Sequence, residues 1–309
     1  MTISDPCIKN SGTVLIVLAH YMHNESIHKF LKHISMLKFP RNWKWKVAIC
    51  DNSGDLEDFP DLEIDLTVYR PGENKYYLGG CWFALTKWQE ENGNFPDWVI
   101  VTNHDLVFES DFFLRLLSMS IDEDIAVVAP DVRILNGVKQ NPHILKRPSL
   151  ISMVMRTMAF RYRPLYRLMN LQYTVKMNFK AIAKKLSLDR FNCLCKVAQA
   201  SCMPIYSAHG SVLLFRKVFF DRGGNLASKA MMYHEEFLVA ERCRRMALRI
   251  IMNASLNVVH NENSVIRLVS NNIQYGWMKC LSRVLIDIYR TGEKDIWISS
   301  VSKSEHVLK

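Results

Sequence analysis

Short apolar runs alternate with stretches of helical period along the first half of this chain. That alternation restricts the available folds more than any other feature. Residues 13–19, TVLIVLA, form a continuous apolar run of strand length. Ile27, Phe30, Leu31, Ile34 and Leu37 follow at helical spacing within residues 26–37. WKVAIC (45–50), IDLTVY (64–69), DWVIVT (97–102) and DIAVVAP (124–130) read as further strands, with a helix over about 80–92. Strands that are apolar throughout are buried on both faces. The pattern therefore predicts an α/β fold, a mostly parallel, Rossmann-like sheet flanked by helices. In such sheets ligands bind beyond the carboxyl ends of the strands. The polar residues expected there are Asp51, Asn74 and Asp105.

The pattern breaks after about residue 143. Residues 144–196 hold six lysines and six arginines against one acid, Asp189, a local charge of +11. The other 28 basic and 29 acidic residues nearly cancel, so the overall +10 belongs to this segment. It is rich in Met, Leu and aromatic residues and is expected to be helical. The α/β pattern resumes with GSVLLFRKVFF (210–220) and a Gly223–Gly224 turn. A helix over about 234–247 and strands near 249–252 and 256–259 come next, then a helical segment at 270–290. The expected organisation is a domain over 1–265, with a basic helical insertion at about 144–200, and a helical C-terminal segment over 266–309.

With 309 residues and 49% hydrophobic composition, the chain can bury a large core, which argues against wholesale disorder. No apolar run approaches the roughly 18–20 residues that span a bilayer. MTISDPCIKNSG lacks a basic stretch followed by an apolar one, so no secretory signal is expected. The eight cysteines include no CxxC pair, and Cys193 and Cys195 are only two apart. Reduced thiols are expected, and a zinc site is not.

Several strand-end residues could carry chemistry, and each has a plainer alternative. Asp105, after a buried strand, could ligate a hard divalent cation or could cap a turn. DNSGD (51–55) could receive a nucleobase or ribose through Asp51, or could be only a turn. Gly79 and Gly80, read as lying just before a helix, could bring backbone N–H groups to a phosphate or could make a tight turn. Glu235 and Glu236 open a helix, where acids complement the helix dipole; a general base is the functional alternative, with a neighbouring carboxylate raising its pKa. Glu241 and Arg245 can pair along that helix. His260 closes LNVVH as a structural residue or as a metal or phosphate partner.

In order and spacing, these stretches resemble family 2 glycosyltransferases of the GT-A fold, in their rhamnosyltransferase-like branch. The resemblance covers about 14–262. It rests on DNSGD, on NKYYLGG (74–80), on Asn103-His104-Asp105 as the degenerate metal motif, and on GSVLLFRK before the acceptor site. Tyr233-His234-Glu235-Glu236, the downstream Arg242 and the late His260 complete it. The family's Glu-Asp pair is here Glu-Glu, its further acid is Leu238, and His104 replaces the common Pro. The resemblance implies an inverting transferase, moving rhamnose or another hexose from a dTDP- or UDP-linked donor to a glycan hydroxyl. Glu236 would be the base and Glu235 its orienting partner. Asp105 and His260 would hold Mg²⁺ or Mn²⁺. His20, Asp51, Asn74, Gly79, Gly80, Asn103 and Arg242 would bind the nucleotide-sugar, and His209, Gly210 and Ser211 the acceptor. A catalytically silent glycan-binding or assembly subunit on the same fold is the alternative.

KRPSLISMVMRTMAFRYRPLYRLMN interleaves arginine with Met, Leu, Phe and Tyr. That composition suits an anionic bilayer surface, and also an insertion whose apolar face packs on the domain. Nucleic acid is not expected, because the rest of the chain is near neutral. A membrane role for 144–196 fits a lipid-linked acceptor in cell-surface polysaccharide synthesis, such as O-antigen or capsule. The enzyme would then be cytoplasmic and peripheral at the inner face of the membrane.

Overall fold

A computed structural model describes residues 11–59, 62–169, 171, 202–229, 231–233, 235–261 and 270–291. Within them, one sheet contains β1 (Gly12–His20), β2 (Trp43–Asp51), β3 (Leu66–Tyr69), β4 (Trp98–Thr102), β5 (Leu106–Phe108), β6 (Ile125–Ile134), β7 (Cys202–Ile205), β8 (Val212–Arg216) and β9 (Arg249–His260). Their order is β3-β2-β1-β4-β8-β6-β9-β5, with β7 also on β9. The labelled helices are α1 (Asn24–Ser35), α2 (Tyr76–Asn92), α3 (Phe112–Leu117), α4 (Leu150–Arg161), α5 (Lys217–Asp221), α6 (Glu235–Arg245) and α7 (Asn271–Thr291). The architecture is α/β, a central sheet flanked by helices.

Successive side chains of a strand face opposite ways. Val14, Ile16 and Leu18 of β1 therefore pack in one core layer with Phe30, Leu31 and Ile34 of α1. Leu15 and Val17 face the other layer, with Leu78 of α2, Leu238 of α6 and Leu285 of α7. β3, β2, β1 and β4 are mutually parallel. β8 then runs antiparallel between β4 and β6. β6 and β9 are parallel, while β5 and β7 run antiparallel to β9, so the sheet is mixed. The two strands expected near 249–252 and 256–259 are one strand, whose register against β6 jumps between Pro130 and Asp131.

This topology gathers distant segments at one end of the sheet. β1, β2 and β4 finish there at His20, Asp51 and Thr102. Because β8 is antiparallel, it starts there, with Val212 opposite Thr102. β9 finishes there too, with His260 between Ile134 and Leu106.

α2 begins at Tyr76, four residues before the expected start near 80. Asn52 fixes that start from the end of β2, accepting the Lys75 N–H at 2.8 Å. Gly79 and Gly80 therefore lie inside the helix, a correction to their expected place before it. A Cβ on Gly80 would lie 3.1 Å from Asn52 Nδ2 and 3.3 Å from both Ala19 Cβ and Cys50 Sγ. Gly80 lets α2 approach β1 and β2 closely.

Of the described part of the basic segment, α4 and the stretch over 163–169 are helical, whereas 144–149 are not. Ser149 caps α4 by accepting the Ser152 N–H. Met153 and Phe160 point into the core. Leu150, Ile151, Val154, Met155 and Met158 are exposed, Ile151 to 77%. Tyr275 of α7 donates its hydroxyl to the Arg161 carbonyl at 2.8 Å. Residues 170 and 172–196 lie outside the described residues, as do the boundary expected at 265–266, His234, Cys193 and Cys195. Among the described residues, no helix is long and apolar enough to cross a membrane.

Candidate active site

Asp105 sits between the end of β4 and the start of β5, in a loop held by two backbone bonds. The Asn103 N–H donates to the Ser211 carbonyl, and the Asn261 N–H to the Asp105 carbonyl, each at 2.9 Å. The Asp105 side chain is buried, and neither carboxylate oxygen has a hydrogen-bond partner. Its Oδ1 lies 3.2 Å from His260 Nε2, which is also buried and without a hydrogen bond. The other ring nitrogen of His260, Nδ1, is 2.7 Å from Gln140 Oε1. An amide oxygen only accepts, so Nδ1 carries the hydrogen. In the neutral ring, Nε2 then presents a lone pair toward Asp105. Buried polar atoms are rarely left unpaired. Two carboxylate oxygens and an imidazole nitrogen at this spacing are a donor set for a divalent cation.

His209, Gly210 and Ser211 lead into β8 beside this pair. His209 Nδ1 accepts from the Ser211 N–H at 3.2 Å and lies 2.9 Å from Ser211 Oγ, so Nε2 carries the hydrogen. Burial lowers the His209 pKa to about 4, so the ring is neutral at physiological pH. Its ring centre is 6.1 Å from that of His260 and 5.7 Å from that of His143, which makes a row of three imidazoles. Asn141 accepts the His209 backbone N–H at 2.7 Å.

The acids at the start of α6 close the other side. A Cβ on Gly210 would lie 3.2 Å from Glu235 Cβ and 3.3 Å from Glu236 Oε1, so glycine permits this contact. Burial would raise the Glu236 carboxyl, yet His143, His209 and the backbone N–H groups of Glu236 and Gly210 outweigh it. Its pKa is therefore lowered, which corrects the expectation that a neighbouring carboxylate raises it. Tyr77 of α2 donates its hydroxyl to the Gly210 carbonyl at 2.9 Å. Arg156 of α4 stands over the Phe237 ring at 5.3 Å, its pKa lowered by burial and partly restored by Glu236.

Other expected site residues are committed to protein contacts. Asp51 Oδ1 accepts the Gly54 N–H at 2.8 Å, and Oδ2 accepts the Leu56 N–H and Arg70 Nε–H, each at 3.1 Å. His20 Nε2 is 3.2 Å from Asp55 Oδ1. His20, Asp51 and Asp55 have candidate ligand atoms within 4.8 Å of one another. The bonds around Asp51 make this group a brace for the 52–56 turn. Asn74 is exposed, and its side chain accepts the Tyr76 N–H. The Arg242 guanidinium donates to the carbonyls of Asn225 and Ala227 at 2.5 and 2.8 Å, which ties it to that loop. Glu241 pairs with Arg147 and Arg244, whereas Arg245 donates to the Arg290 carbonyl. His104 turns to Ser26 of α1 at 2.9 Å.

Of the predicted site residues, the structure brings together Asp105, His260, His209, Gly210, Ser211, Glu235 and Glu236, with Asn103 in the supporting loop. It adds Gln140, Asn141, His143, Tyr77 and Arg156.

No protein-family model and no curated protein matches the sequence. Among solved structures, it is similar to mannosyltransferase PcManGT from Pyrobaculum calidifontis in complex with GDP-Man and Mn²⁺, at 16% identity, covering 93% of this chain and 72% of that one, TM-score 0.46. GalNAc-T7 with UDP, GalNAc and Mn²⁺ follows at 9% identity, covering 81% and 44%, TM-score 0.47. TarS 1–349 of S. aureus in complex with UDP-GlcNAc is 12% identical, covering 84% and 61%, TM-score 0.49. At these identities and scores, the likeness says nothing about activity, so function is argued from the side chains.

Proposed function

We propose that this chain is a glycosyltransferase of the GT-A type, moving a sugar from a nucleotide-sugar to an acceptor hydroxyl. One observation carries the proposal. Asp105 and His260 present three buried polar atoms without hydrogen bonds, at the carboxyl end of the sheet. Asp105 Oδ1 and Oδ2 and His260 Nε2 would hold Mg²⁺ or Mn²⁺. A cation bound there supplies charge neutralisation for the leaving diphosphate. Glu236, ionised at neutral pH, takes the proton from the acceptor hydroxyl. The acceptor oxygen bonds to the anomeric carbon as the bond to the diphosphate oxygen breaks, and that oxygen leaves with the electron pair. Attack opposite the leaving group inverts the configuration. Glu235 orients the base, and His209 offers Nε2–H to a substrate oxygen. The nucleoside, dTDP- or UDP-linked, lies toward the turn braced by His20 and Asp51. Rhamnose or another hexose is the transferred sugar.

The acceptor is a lipid-linked glycan in cell-surface polysaccharide synthesis, met at the inner face of the membrane. Support for that surface comes from α4. Its inner side carries Arg156 toward Glu236, while its outer side exposes Ile151, Val154, Met155 and Met158, with Arg161 in its last turn.

A thermal-shift panel tests the donor site. UDP, dTDP and their sugars are compared with and without Mn²⁺, since a ligand of the folded state raises Tm by mass action. We expect a Mn²⁺-dependent rise with one of these nucleotides, lost in Asp105→Asn. The same rise in Asp105→Asn, or none in the wild type, would refute the site.

A further inference from the structure

We propose that Gln140 is a positioning residue that prepares His260 to bind a divalent cation. The inference rests on the Asp105–His260 metal site proposed above.

An imidazole binds a metal through one nitrogen, and the other nitrogen's hydrogen-bond partner decides which. At His260 that partner is Gln140, whose Oε1 lies 2.7 Å from Nδ1. The amide oxygen accepts the Nδ1 hydrogen, so the neutral ring keeps its lone pair on Nε2. Nε2 is the nitrogen 3.2 Å from Asp105 Oδ1, with no hydrogen bond of its own. Without the acceptor, the opposite tautomer would place a hydrogen on Nε2, where Asp105 would attract it and close the cation position.

The loop carrying Gln140 is itself held. The Gln140 N–H donates to the Val132 carbonyl at 2.8 Å, as the chain folds back on β6. The next residue, Asn141, is buried; its Nδ2 donates to the Pro130 carbonyl at 2.9 Å and its Oδ1 accepts the His209 N–H at 2.7 Å. One loop thus sets the His260 tautomer and secures His209. His260 and Gln140 are 120 residues apart in sequence.

The test measures Mn²⁺ binding to the full chain by titration against the electron paramagnetic resonance signal of free Mn²⁺. Wild type, Asp105→Asn, Gln140→Leu and Gln140→Glu are compared, with circular dichroism to establish folding. Loss of an outer-shell partner typically weakens metal affinity about 10–100-fold, the effect expected for Gln140→Leu. Gln140→Glu restores an acceptor for Nδ1–H and is expected to bind within a few-fold of wild type, or tighter. Both Gln140 variants binding like wild type while Asp105→Asn loses Mn²⁺ would overturn the role of Gln140 and leave the metal site standing. Equal weakening by Leu and Glu would also overturn it, because a merely structural role is not rescued by an acceptor. Unchanged binding in Asp105→Asn would overturn the metal site and this inference with it.

Discussion

Glu236, the proposed base, shows how a carboxylate can be kept charged inside a protein. Burial alone favours the neutral carboxylic acid. Here the nearby His143 and His209, where they carry a proton, and the backbone N–H groups of Glu236 and Gly210 hold its pKa below the ordinary value. A general base must be unprotonated before it acts, and a lowered pKa favours that state. Glu236→Gln preserves the side chain's shape and removes its basicity. We expect transfer to fall about a hundredfold or more, while the Mn²⁺-dependent nucleotide shift persists. Product formation measured beside the thermal shift checks this. Retention of wild-type turnover would move the base elsewhere, with Glu235 the nearest candidate.

At the scale of elements, small contacts hold α1 and β5 together behind the loop that carries Asp105. His33 of α1 accepts the Phe108 N–H of β5 at 3.0 Å, and burial lowers its pKa below 6.5. The hydrogen bond needs the neutral ring. A histidine with a depressed folded value contributes fully above its unfolded value, and the contribution is lost as pH falls through the folded one. Between about pH 7 and about pH 5, the urea midpoint of wild type should therefore drop more than that of His33→Gln, which keeps a neutral acceptor. Parallel curves would assign the acid sensitivity to other groups. The elements also show what was legible in the sequence. β1, β2 and β4 are buried from both sides and read as unbroken apolar runs, so their polar ends could be located. β5 has three residues and β7 is largely exposed, so neither leaves such a run. The start of α2 differs from the periodicity of its own residues because Asn52, far back in the chain, determines it. Gln140, Tyr77 and Arg156 were missed for a related reason: the partners that give them meaning are remote in sequence.

Across the whole molecule, charge and apolar surface coincide on α4 and the helical stretch over 163–169. Ile151, Met155, Met158, Leu165 and Leu168 are each more than 40% exposed; residues 144–171 contain no acid, and of their six basic residues Arg147 pairs with Glu241 and Arg156 faces Glu236, which leaves Lys146, Arg161, Arg163 and Arg167. Residues 172–201 carry six further basic residues and one acid, so they offer little complementary charge to that face. We expect the protein to sediment with vesicles containing anionic lipid. A triple change of Ile151, Met155 and Met158 to Asp should reduce that binding, by losing apolar burial and by adding negative charge. Equal sedimentation of the two proteins would separate the basic segment from membrane binding.

The position of β8 has a consequence for how this protein is made. β8 lies between β4 and β6, pairing Thr102 with Val212 and Val128 with Leu214. Until Arg216 has left the ribosome, the nascent chain carries two open strand edges that have nothing to pair with. Such edges invite pairing with other chains. The row of imidazoles also needs His260, the last residue of β9, so translation must pass β9 before the site can assemble.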